Sequence, residues 1–190
     1  MRRSLVLAAA LALFAHGASA TEVRFDTSQG SFTLSLDAAH APKTVANFLR
    51  YVNEKHYDGT VVYRVVPSFV IQIGSYDAQG GQRETHDPIP LESANGLKNL
   101  RGAVSMARSG DPTSATAEFF VNLSDNDSLD PDPGSAPNTK GYAVFGKVVE
   151  GMAVVDKIAQ VPLGGGHGPF PPDATPAFPV VITKVTVTVP

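Results

Sequence analysis

Polar and apolar residues alternate along Glu22-Val23-Arg24-Phe25-Asp26-Thr27 and again along Ser31-Phe32-Thr33-Leu34-Ser35-Leu36, with Ser28-Gln29-Gly30 between them. Two period-two runs joined by a short turn-forming insert predict a β-hairpin with one buried face. The period then changes. Val45, Phe48, Leu49 and Val52 recur at helical spacing towards Glu54, and Pro42 stands where a first helical residue tolerates proline, so a helix with one buried face follows. Residues 61–66 and 70–73 are β-branched runs separated by Pro67-Ser68, and residues 103–106, 119–123, 143–149 and 180–189 complete the strand candidates. A second amphipathic segment, residues 152–158, is too short for more than two turns, and Gly151 before it breaks the preceding strand.

Many short strands, turn signals between them and only two helices predict a mainly β protein. The pattern fits a closed or nearly closed antiparallel barrel with helices capping its ends rather than a parallel βαβ arrangement. Residues 124–140, with Pro131, Pro133, Gly134 and Pro137, and residues 161–179, with Gly164-Gly165-Gly166 and six prolines, read as surface loops long enough to be pocket rims or insertions.

The amino terminus carries Arg2-Arg3, an apolar run from Leu5 to Phe14 and then Ala18-Ser19-Ala20, the layout of a cleavable secretory signal. The expected organisation is therefore a signal over residues 1–20 and one domain over residues 21–190, in the periplasm or secreted, without a membrane anchor. The apolar run is shorter than the roughly 20 residues a bilayer span needs. Loss of Arg2 and Arg3 widens the acidic surplus beyond the formal −3 of the whole chain, which disfavours nucleic acid as a partner. The chain has no cysteine, which excludes disulfides, thiolate metal sites and cysteine nucleophiles together. A monomer is the default expectation.

Against this background one strand carries unusual chemistry. In Tyr63-Arg64-Val65-Val66-Pro67-Ser68-Phe69-Val70-Ile71-Gln72 a permanent cation sits among residues that otherwise read as buried. A guanidinium in that setting needs a carboxylate or an oxygen-bearing ligand. Ala117-Glu118-Phe119-Phe120-Val121-Asn122 supplies aromatics able to line a pocket beside it, which suits a polypeptide carbonyl. Alternation lets only one of Phe119 and Phe120 face such a pocket.

These segments, together with Asn99-Leu100-Arg101-Gly102, Met106-Ala107-Arg108, Ser128-Leu129-Asp130 and Gly141-Tyr142-Ala143-Val144-Phe145-Gly146-Lys147-Val148, resemble the cyclophilin peptidyl-prolyl cis-trans isomerases, most closely the exported bacterial branch. The resemblance runs from about Val23 to Val189. It implies an eight-stranded antiparallel barrel capped by two α-helices, and prolyl isomerisation without metal or cofactor on proline-containing polypeptides such as unfolded or loosely folded exported proteins. It places the catalytic guanidinium at Arg64, the base of a proline pocket at Phe69 and Phe120, and a positioning amide at Gln72. Leu129 closes one side, Val70 and Tyr142 stand at pocket positions, Glu118 lies beside Arg64, and Ala107 with Arg108 lines the substrate groove. The departures from the family pattern are Tyr63 for histidine, Ser68 and Ile73 for glycines, Glu118 for glutamine and Ser128 for a large aromatic. The last implies weak binding of the cyclic peptide cyclosporin. The glutamate implies either an anchor for Arg64 or a competitor for its donors. A non-catalytic proline-binding module or holding chaperone on the same barrel is the alternative.

Taken singly, each residue has a plainer explanation. A strand arginine is more often a structural ion pair, and Gln72 a satisfied polar residue. Asp125, Asp127, Asp130 and Asp132 lack the glycine and glutamate of a calcium loop, since the sixth and twelfth positions counted from Asp125 are Asp130 and Ala136. His16, His40, His56, His86 and His167 have no paired zinc spacing and read as surface residues, and Gly164-Gly165-Gly166 lacks the lysine of a phosphate loop.

Overall fold

The computed structural model describes residues 20–165 and 171–189. The signal expected over residues 1–20 therefore lies, but for Ala20, outside the described residues, as do His16, Gly166 and His167. Eight strands close into one antiparallel barrel in the order β1-β2-β7-β5-β6-β4-β3-β8. They are β1 (Glu22–Thr27), β2 (Gly30–Leu36), β3 (Thr60–Val66), β4 (Val70–Asp77), β5 (Ala103–Met106), β6 (Phe119–Asn122), β7 (Val144–Glu150) and β8 (Val180–Val189). The first pair is the expected hairpin, with Thr27 opposite Gly30 and Val23 opposite Leu34.

Two helices complete the fold, α1 (Pro42–Asn53) and α2 (Met152–Ala159). Proline opens α1, and since Ala41 has no capping side chain, Glu92 serves instead, accepting from the Thr44 amide at 2.8 Å and its hydroxyl at 2.7 Å. The buried stripe of α1 drives Phe48 into the barrel, where its ring centroid lies 5.4 Å from those of Tyr57 and Phe119 and 5.0 Å from that of Phe145. Val155 and Ile158 of α2 enter the same core. Inward residues of successive strands, Val23 and Phe25, Phe32 and Leu34, Ile71 and Ile73, Phe119 and Val121, fill the rest. With no disulfide, this aromatic and β-branched core supplies the stability.

Two bulges interrupt β3–β4 pairing. Val62 faces Ile73 but Arg64 faces Gln72, so Tyr63 is an extra residue on β3. Thr60 faces Asp77, which leaves two extra residues within Gly74–Tyr76 of β4. The first bulge breaks the period of two: Val62 and Val65 both enter the core, and Arg64 stays on the outer face, partly buried.

The reading of every histidine as a surface residue is corrected here. His56 and His86 are partly buried, the ring of Tyr51 stacking against both at 4.7 and 5.1 Å, and His56 Nε2 hydrogen-bonds the Gly74 carbonyl at 2.8 Å. Each packs against an aromatic ring that periodicity does not reveal. Burial, with the nearby Arg83 and His86, lowers the His56 pKa from 6.5. The folded chain thus binds this proton less readily than the unfolded chain. The associated stability is present above pH 6.5 and is lost as the pH falls through the lowered value. Denaturant unfolding across that window should show a decline that His56→Gln removes, because the amide still donates to Gly74 but does not titrate. An identical decline in the variant would refute the assignment.

Candidate active site

The site lies on the outer face of β3, β4 and β6. Alternation along β4 sends Ile71 and Ile73 inward and Val70 and Gln72 outward; along β6 it sends Phe119 and Val121 inward and Phe120 outward. Of the adjacent pair, Phe120 is the one that faces this outer side. Val70, Ala107 and Phe120 form a second apolar cluster, separate from the barrel core, against which Phe69, Leu129 and Tyr142 pack. Phe120 and Tyr142 meet edge to face at 5.5 Å.

Polar groups stand beside this slot. Gln72 pairs with Arg64 on one side and with Phe120 on the other, so one residue joins the charged and apolar halves. Arg64 Nη1 donates to Gln72 Oε1 at 3.2 Å, Gln72 Nε2 donates to Glu118 Oε2 at 3.0 Å, and the Tyr63 hydroxyl donates to the same oxygen at 2.6 Å. An ionised carboxylate only accepts, so Glu118 forces the Gln72 amide nitrogen towards itself and its carbonyl towards Arg64. Burial first, then the charge of Glu118 and the hydrogen bond to it, push the Tyr63 hydroxyl far above its ordinary pKa, which keeps it a donor. Glu118 therefore anchors the arginine through glutamine.

The loops that carry the slot are held by a second polar array. Ser105 Oγ donates to Asn99 Oδ1 at 2.7 Å and Asn126 Nδ2 donates to Asn122 Oδ1 at 2.8 Å and to the Phe69 carbonyl at 3.0 Å. The Asn99 amide and side chain donate to Asp130 at 2.9 and 3.0 Å. Asp125 accepts from the Arg101 amide at 2.8 Å. These acids staple the loop. Among the described residues no group of three His, Cys, Asp or Glu is placed to hold a metal ion. Ser68 adopts φ 60°, the turn conformation that favours glycine, and Phe69 follows it with its amide bonded to the Val66 carbonyl at 3.0 Å.

The structure brings these residues together on one outer face, with Arg108 at its edge. Its Nε donates to the Gly141 carbonyl at 2.9 Å, its Nη1 to the Ser109 carbonyl at 2.8 Å, and its guanidinium lies 4.8 Å above the Tyr142 ring. It braces a pocket wall. The role of Tyr63 is not evident from its departure from the family pattern alone; the signal for it is the pairing of an unusual tyrosine with an unusual glutamate. A cleft of about 770 Å³ bounded by β2, β5 and β7, with Leu36, Leu100 and Lys147 among its walls, includes neither the Arg64–Gln72–Glu118–Tyr63 chain nor the apolar slot.

Residues 22–187 match the model of the family described as "Cyclophilin type peptidyl-prolyl cis-trans isomerase/CLD". Peptidyl-prolyl cis-trans isomerase A of Dickeya dadantii is 43% identical over 89% of this chain and 85% of its own length. Peptidyl-prolyl cis-trans isomerase cyp18 of Streptomyces antibioticus is 46% identical over 87% of this chain and 97% of its own. The crystal structure of a cyclophilin-type isomerase from Cryptosporidium parvum in the presence of the dipeptide Ala-Pro superposes with a TM-score of 0.71 at 22% identity, covering 89% of this chain and 99% of that one. That likeness concerns the fold.

Proposed function

The chain belongs to the cyclophilin-type peptidyl-prolyl cis-trans isomerases, and we propose that it serves the folding of exported proteins, with Arg64 as the electrostatic catalyst and the Phe69–Phe120–Leu129–Tyr142 slot as the seat of the proline ring. The observation that carries this reading is the Arg64–Gln72–Glu118–Tyr63 chain beside an apolar cluster on the barrel exterior. Exported substrates follow from the signal expected over residues 1–20, with a domain over residues 21–190 acting in the periplasm or outside the cell.

Amide resonance sets a barrier of about 18–20 kcal/mol for rotation about the prolyl bond. No bond is made or broken. As the amide twists, conjugation is lost and the nitrogen gains a lone pair that neither planar form possesses. A guanidinium N–H directed at that nitrogen binds the twisted state in preference to both ground states. The aromatic slot holds the ring while the rest of the peptide turns. Shortening tens of seconds to milliseconds takes about 10⁴-fold, or roughly 5.5 kcal/mol, within reach of one desolvated charged hydrogen bond plus orientation.

The test is the cis/trans exchange rate of a proline tetrapeptide, followed by magnetisation transfer with and without protein. Acceleration supports the reading. Binding that leaves the exchange rate unchanged would make the chain a proline-binding module instead.

Ser128 lies exposed in the short 3₁₀ turn Asp127–Leu129 and brings no ring to the pocket rim. Cyclosporin should accordingly bind weakly, and Ser128→Trp should tighten it at least about tenfold, the scale of a buried aromatic anchor. Titration calorimetry reads the difference; equal affinities would remove Ser128 as the cause.

A further inference from the structure

Glu118 closes the polar chain of the site, yet both of its side-chain hydrogen bonds, from Tyr63 and from Gln72, fall on Oε2. Among the described residues Oε1 accepts no hydrogen bond, and the side chain is only partly buried. The carboxylate is thus fixed by one oxygen and has acceptor capacity left on the other. Its place along the chain matters too. Glu118 immediately precedes β6, and Phe120, two residues on, forms the apolar slot. Two extended residues span about 7 Å, so a peptide seating its proline against Phe120 carries the side chains one or two positions away to the level of Glu118.

We infer that Glu118 is a specificity residue, favouring substrates with lysine or arginine within two residues of the proline and disfavouring acidic residues there. The inference rests on the slot being the proline seat. Arg64 works against it, but Arg64 lies across the Gln72 amide from Glu118, whereas an incoming ammonium can meet Oε1 directly, and charge interactions weaken with separation. The tether to Tyr63 and Gln72 strengthens the effect, because the carboxylate loses little side-chain freedom when a cation arrives. Two of Arg108's five N–H donors are bound to the Gly141 and Ser109 carbonyls, and its guanidinium lies over the Tyr142 ring, which keeps that cation at the Tyr142 wall.

The experiment measures kcat/KM for exchange on proline peptides with lysine, glutamine or glutamate placed in turn at each of the two positions on either side of the proline. It compares the wild type with Glu118→Gln. The variant retains an oxygen for Tyr63 and Gln72, and the lysine-to-glutamine ratio within one protein cancels any change in basal rate. At one position or more the wild type should prefer lysine by about threefold, the scale of a partly exposed ion pair. The preference should fall to about one in Glu118→Gln and also in the wild type at about 0.5 M salt. Equal ratios in the two proteins, or a ratio insensitive to salt, overturn the inference while leaving the proline-seat reading in place. A wild type that does not accelerate exchange of the neutral peptide overturns both.

Discussion

Arg64→Ala is expected to lower kcat/KM for prolyl exchange by about 10²- to 10³-fold, the loss typical of removing one preorganised donor from a developing charge. The barrel should remain intact. Arg64 lies on the outer face, and its neighbours Val62 and Val65 supply the inward packing of β3, so the substitution opens no cavity in the core. Gln72 keeps its bond to Glu118, and Glu118 keeps Tyr63. Unfolding midpoints should therefore stay close to those of the wild type, and the defect should appear in turnover alone. Arg64→Lys separates charge from shape: a lysine retains the positive charge but lacks the planar fork that lets Arg64 engage the Gln72 carbonyl and a substrate together. It should recover part of the rate and remain at least about tenfold below the wild type. Undiminished exchange in Arg64→Ala would remove the arginine from the mechanism, whatever its position.

How far this site could be read from residues alone depended on where the chain kept a simple period. The β1–β2 hairpin and α1 follow from unbroken alternation or helical spacing, and the structure has them as expected; alternation allows only one of Phe119 and Phe120 to face outward, and the family resemblance is what selects Phe120. Tyr63 shows the limit. Counting by twos from Val62 would turn Arg64 into the barrel; the extra residue at the bulge reverses the facing and puts the guanidinium outside. Bulges leave little trace in composition, so only the family resemblance pointed the right way.

The end of β4 was hidden for a related reason. Residues 70–73 carry the β-branched signal, but the strand runs on through the bulge at Gly74, Ser75 and Tyr76 to Asp77, which pairs with Thr60. Glycine and serine are poor strand markers, and the bulge there spoils alternation as well. The Asn99–Ser105–Asn122–Asn126 array was invisible too. Its members come from separate segments, and any one of them alone suggests only a turn or a satisfied amide. Contacts set by long-range pairing, rather than by local preference, are what the linear pattern omits.

Gly74 is where those long-range constraints converge, and Gly74→Ala should be a damaging substitution near the site. The residue adopts φ 126°, and a Cβ there would stand 2.7 Å from the Ala117 carbonyl oxygen and 3.0 Å from the Glu118 Cα. Neither group can yield easily, since both are backbone, and the Tyr57 hydroxyl holds the Ala117 oxygen at 2.9 Å while His56 holds the Gly74 carbonyl. Conformational strain and overpacking together should cost about 3 kcal/mol. In a domain of this size that lowers the melting temperature by roughly 10 °C. Gly96→Ala is the matched control: φ is 81° there, but a Cβ would meet nothing within 4 Å, so only the strain of about 1 kcal/mol applies. The larger variant should also lose activity beyond its stability, because displacing the backbone at Glu118 detaches the carboxylate that orients Gln72 towards Arg64. Thermal unfolding of the two variants side by side decides the matter. Equal melting temperatures would mean that β4 and the segment leading into β6 are not locked at this point, and that Glu118 owes its position to its bonds from Tyr63 and Gln72.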